Sequence, residues 1–94
     1  MCSTMVKVEL VPDLSQCIET VAKREYQNTL QILLSTEAAS EELKERVEIL
    51  RLFLEGADFK KLRAESERYL TNGRRVKFIV CTQGKVLKYD MQVT

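Results

Sequence analysis

Arg75-Val-Lys-Phe-Ile-Val-Cys81 and Val86-Leu-Lys-Tyr-Asp-Met-Gln-Val93, joined by Thr82-Gln-Gly-Lys85, decide how this chain folds. Apolar and polar side chains alternate through both segments, the period-2 pattern of a half-buried strand. A short Gly-containing link between two such segments predicts a β-hairpin. With Gln83-Gly84 as the central turn residues, the opposed pairs are Val80–Leu87, Phe78–Tyr89 and Val76–Met91, all on one face. Lys77 then stands across from Asp90 on the other face. A one-residue slip would set apolar against polar positions, so the pattern specifies the register tightly. A lone hairpin is marginal in water, and its apolar face, Val76, Phe78, Val80, Leu87, Tyr89, Met91 and Val93, needs a cover.

The remainder of the chain supplies that cover. Met5-Val-Lys-Val-Glu-Leu-Val11 alternates in the same way and predicts a short strand that extends the hairpin to three strands. Pro12 stops it, and Asp13, with Gln16 three residues on, predicts a helix N-terminus close to a capping box. The helix expected from Asp13 to about Thr36 meets no Gly or Pro and spans about 36 Å at ~1.5 Å per residue. It carries two apolar faces, Leu14, Cys17, Ile18 and Val21 on one and Ala22, Tyr26, Leu30, Leu33 and Leu34 on another rotated by more than a third of a turn. Its second half is therefore expected to pack on something other than the sheet, either the next helix or a second copy of the chain.

Ser40 predicts the cap of a second helix, with Glu41 and Glu42 well placed for its dipole. Its apolar face is Leu43, Val47, Leu50 and Leu54, which Ile49, Leu52 and Phe53 widen into a nearly enclosed end before Gly56 stops the helix. Asp58 predicts the cap of a third helix through Leu70, with Phe59, Leu62, Ser66, Tyr69 and Leu70 on one face, closed by Asn72-Gly73. The order β-α-α-α-β-β predicts one α+β domain over residues 1–94, three helices packed on one face of a small antiparallel sheet.

Composition narrows the function classes. The chain is 94 residues long and 45% hydrophobic, with net charge +1, which argues for one compact domain without a strongly charged partner. It shows neither a membrane-length apolar run nor a secretion leader, and Cys2, Cys17 and Cys81 leave one thiol over in any disulfide scheme, so a cytoplasmic location is expected. Packing is the expected role of all three cysteines. There is no histidine, so the usual acid/base near neutral pH and the commonest metal ligand are both missing. No phosphate-cradling Gly loop occurs, and three scattered cysteines do not make a zinc site. No catalytic residue, metal or cofactor is expected. Cys81, with Lys85 and Arg74 or Arg75 expected near it, is the one nucleophile candidate, but no base-orienter pair accompanies it.

Two surface features remain. Residues 58–77 hold seven basic and three acidic residues, and Lys60, Lys61, Arg74 and Arg75 are the candidate nucleic-acid contacts, whereas residues 37–55 hold six acidic and three basic residues. Tyr26, Leu30, Leu33 and Leu34 are the candidate self-association residues, through a two-fold dimer of the first two helices. The reading favoured is a small non-catalytic interaction or regulatory module that forms a homodimer through its helices. Nucleic-acid binding through residues 58–77, and a small-molecule or enzyme pocket between helices and sheet, are the alternatives.

Overall fold

The computed structural model describes residues 6–37 and 40–94, so Cys2 and Met5 lie outside the described residues. The elements run β1 (Lys7–Leu10), α1 (Ile18–Ser35), α2 (Glu41–Gly56), α3 (Phe59–Leu70), β2 (Val76–Gln83) and β3 (Val86–Val93). The three strands form one antiparallel sheet in the order β1-β2-β3, with the helices against one face. This is the predicted α+β architecture in the predicted order.

The middle strand carries the core. Val76, Phe78 and Val80 of β2 are fully buried, as are Val8 and Leu10 of β1. Ile18 and Ala22 of α1 and Ile49, Leu50 and Phe53 of α2 close over them. Burying a side chain of this size contributes about 1.5–3 kcal/mol each, which makes this cluster the main source of cohesion. Phe53 packs edge-on against both Phe59 of α3 and Tyr89 of β3, each at 5.3 Å between ring centroids. One side chain thus ties α2 to α3 and to the far strand.

The hairpin register differs from the predicted one by two residues. Phe78 pairs with Met91, Val80 with Tyr89 and Val76 with Val93, and the central turn residues are Gly84 and Lys85. The reason is backbone sterics. Gly84 takes φ +65 at the first turn position, whereas a turn centred on Gln83-Gly84 of the common type I′ would force Gln83 into the left-handed region. A shift of two leaves every side chain on its predicted face. It does move Lys77 opposite Gln92, while Asp90 faces Ile79, and Lys77 Nζ reaches Glu9 Oε1 on β1 at 3.6 Å instead.

Helix α1 begins at Ile18 with Cys17 as its N-cap, four residues later than the Asp13 cap predicts. Asp13 caps a turn rather than the helix: its Oδ1 accepts from the Ser15 and Gln16 amides at 2.9 and 2.8 Å and from the Ser15 hydroxyl at 2.7 Å. Leu14 is left 69% exposed, off the face to which periodicity assigned it. The second half of α1 packs along α2, where Thr29 is buried with its hydroxyl donating to the Glu25 carbonyl at 2.7 Å.

The other helix ends follow sequence closely. Ser40 Oγ accepts from the Leu43 amide at 3.1 Å and Asp58 Oδ1 from the Lys61 amide at 3.2 Å. Gly56 is the last residue of α2 rather than a left-handed stop, and the chain leaves the helix at Ala57. At the end of α3 the Arg74 amide donates to the Tyr69 carbonyl and the Gly73 amide to the Leu70 carbonyl, with Gly73 at φ +79, a Schellman closure. Phe53→Ala is expected to lower unfolding stability by about 3–5 kcal/mol in urea titration, because a fully buried ring leaves a cavity between three elements.

Candidate functional site

The candidate self-association residues lie on α1, and their exposure rises along it. Tyr26 is half-buried against the core, Leu30 and Leu33 are half-buried, and Leu34 is 78% exposed. Spacing of four places Tyr26, Leu30 and Leu34 on one line of the helix, drifting off the buried stripe that runs through Ala22 and Thr29. Ile32, at the same end of α1, is 54% exposed. The face turned to α2 is therefore satisfied within the chain, while the Leu30-Leu34 flank is open.

The sheet accounts for this gradient. Ile18, Val21 and Ala22 at the start of α1, and Ile49, Leu50 and Phe53 at the end of α2, belong to the cluster that covers the strands. Toward the α1–α2 connection the buried residues are Thr29 and Val47 alone among those described, neither in that cluster. Arg46 Nη2 and Glu25 Oε1, 3.8 Å apart, pair the two helices there. Among the described residues, no member of the buried cluster over the strands lies in this half of the helix pair.

The basic candidates do not form one strip. Lys60 and Lys61 stand in the first turn of α3, and Arg74 and Arg75 follow its last turn, roughly 20 Å away at ~1.5 Å per residue. Lys60 borders a groove toward α1, whereas Arg75 borders a separate depression with Val11, Val76, Lys77, Gln92 and Thr94. Arg74 is turned to the chain end, its Nε donating to the Thr94 carbonyl at 3.1 Å. The charge contrast between residues 37–55 and 58–77 is partly neutralised inside each helix: Arg51 pairs with Glu48 and Glu55, Lys44 with Glu41, and Arg63 with Glu67.

A groove between the start of α1 and α3 was not legible as a site in the sequence. Two adjoining depressions of about 340 and 280 Å3 share Cys17, Arg63 and Glu67. Cys17 is the N-cap residue of α1, and its Sγ lies 3.4 Å from Thr20 Oγ1. Hydrogen bonding to Thr20, first its hydroxyl and then its amide, holds the thiol below its ordinary pKa, with the Arg63 guanidinium adding a smaller effect. Arg63 is itself held by Glu67 Oε1 at 3.0 Å. The signal that would have found Cys17 is the late start of α1, which turns a helix-face residue into a cap. Cys81, the thiol the sequence singled out, lies on the outer face of the sheet between Lys7 and Lys88 as cross-strand partners, away from Arg74 and Arg75. Among the described residues no three His, Cys, Asp or Glu side chains converge to hold a metal, and no helix is long and apolar enough to cross a membrane.

A protein-family model matches residues 6–89, from the residue before β1 to the middle of β3. The chain belongs to that family. No curated protein and no solved structure matches it. The matched span takes in β1, all three helices, β2 and the first half of β3, and so every fully buried core residue.

The lowered Cys17 pKa has a direct consequence. Its thiolate forms at lower pH, so alkylation of Cys17, followed by peptide mass spectrometry across a pH series, is expected to reach half-maximal rate at a lower pH than in the Thr20→Val variant, which removes the hydroxyl.

Proposed function

We propose that this chain is a small non-catalytic interaction module that self-associates through α1 and α2. The observation that carries the reading is the open apolar flank at the end of α1, where Leu34 is 78% exposed on the same line of the helix as half-buried Leu30 and Tyr26. A single surface leucine is ordinary, but Leu34 continues a line of half-buried apolar residues into the half of the helix pair where, among the described residues, no buried member of the sheet-covering cluster lies. Two such helix pairs brought together around a two-fold axis make a four-helix layer in which each copy covers the other's leucines. The half-buried thiols of Cys17 and Cys81 suit a reducing compartment, and a cytoplasmic module is the corresponding reading.

Recognition by an assembly of this kind rests on shape and apolar contact rather than on a reactive group. The absence of histidine from the chain favours that over acid/base catalysis. The wild-type chain is expected to self-associate in native mass spectrometry. Leu34→Asp, at an exposed position, should keep the circular dichroism spectrum and weaken that association at least tenfold, halving the mass at low micromolar concentration. A Leu34→Asp protein with unchanged mass would remove α1 from the interface.

A further inference from the structure

We infer that β3 pairs antiparallel with β3 of a second copy, around a two-fold axis at Tyr89, to join two three-stranded sheets into one of six strands. The surface is distinct from the α1 flank and carries its own argument. β3 is eight residues long and ends the sheet, and among the described residues no strand pairs with its outer edge. Such an edge presents a row of unpaired N–H and C=O groups. The opposite edge, β1, has four residues and is followed closely by Pro12, so it offers a much shorter template.

The hydrogen-bond phase of β3 limits which registers a partner strand can adopt. Arg75 and Thr94 exchange both backbone hydrogen bonds, at 3.2 and 3.0 Å. In an antiparallel ladder such pairs alternate with non-bonded ones. Stepping by two along the observed register makes Lys77–Gln92, Ile79–Asp90, Cys81–Lys88 and Gln83–Val86 the bonded pairs. Leu87, Tyr89, Met91 and Val93 therefore turn their backbone groups away from β2, toward the open edge. A second β3 must oppose these residues with the same set from its own copy.

Charge then selects among the allowed registers. Centring the two-fold on Lys88 sets Lys88 against Lys88 of the second copy, and centring it on Asp90 sets Asp90 against Asp90. Centring it on Tyr89 sets Lys88 against Asp90 twice, once on each side of the axis. Within its own chain Lys88 faces Cys81 and Asp90 faces Ile79, so these cross-strand partners offer neither a countercharge. Rows of the outer face then read Lys7, Cys81, Lys88 in one copy and continue as Asp90, Ile79, Glu9 in the other, basic meeting acidic at the seam. Centres further along β3 lose both ion pairs and shorten the ladder.

The helix-side face fits the same register. Tyr89 opposes Tyr89, and Leu87 opposes Met91 on either side of it. These are the apolar positions that the helices leave incompletely covered: Tyr89 is 40% exposed, and Leu87 and Met91 are half-buried although Val80 and Phe78 of β2 are fully enclosed. The contact is isologous, self-complementary in hydrogen bonds, charge and apolar surface.

The test is charge exchange, read by sedimentation equilibrium of the full chain at low salt. Lys88→Asp and Asp90→Lys each create like-charge contacts at both seams, on the exposed outer face, and each should halve the mass of the assembly. Combining the two substitutions restores opposite charges and should restore the wild-type mass. Amide exchange supplies a second readout: the Leu87, Tyr89 and Met91 amides should be protected in the wild-type chain and exchange fast in either single variant. Single variants that keep the wild-type mass, a double variant that fails to recover it, a wild-type monomer, or fast exchange at these three amides in the wild-type assembly would each overturn the pairing. Leu34→Asp acts on α1 and lowers the mass without loss of protection at the Leu87, Tyr89 and Met91 amides, whereas the β3 variants lose both, so a loss of association through the helices and a loss through β3 are separately visible.

Discussion

The structure depends on the enclosure of β2. Val76, Phe78 and Val80 point to one side of a strand that is hydrogen-bonded along both edges, and they are sealed by Phe53, Leu50 and Ile49 of a helix on the far side of the chain. Every other element is arranged to make that contact possible. β1 covers one edge of β2, β3 the other, α1 supplies Ile18 and Ala22, and α3 returns the chain to the start of β2 through the closure at Gly73. Because interiors are packed to near-crystalline density, the contact admits little variation. The periphery is correspondingly freer.

That freedom is distributed unevenly. The helices sit over β1 and β2 and reach β3 through Phe53 and the end of α2, so the core face of β3 is only half covered. At the opposite end, α1 and α2 run past the cluster over the strands and continue as a pair held by Thr29, Val47 and the Arg46–Glu25 ion pair. Exposed pairs of this sort contribute at most about 1 kcal/mol each, so that end relies on apolar contact. Both open regions lie where the helix cluster over β1 and β2 ends. The surfaces most suited to contact with another molecule are those the fold itself leaves unfinished.

Much of this was legible in the sequence, and the misses have specific causes. Strand faces, helix order, and the caps at Ser40 and Asp58 follow from local rules, and the structure contains them. The hairpin register missed by two because face alternation is blind to a shift of two, and the deciding term was whether Gly84 or Gln83 took the left-handed turn position. The start of α1 missed because Asp13 serves equally well as the cap of a helix or of an isolated turn, and the turn, with Pro12 buried beneath it, used the side chain first. That displacement hid the candidate groove. Cys17 became a cap facing Arg63 across from α3 instead of one more residue in an apolar stripe.

By itself, the sequence determined the kind of each element, the side of each strand that would be buried, and the chemistry missing from the chain, because periodicity, capping residues and composition act within a few residues of one another. Tertiary structure alone decided which of the apolar residues would remain uncovered, and that Cys17 and Arg63 would share a groove. Those outcomes depend on distances between segments far apart in the chain. No local pattern encodes such distances; the packing of the helices onto β2 sets them.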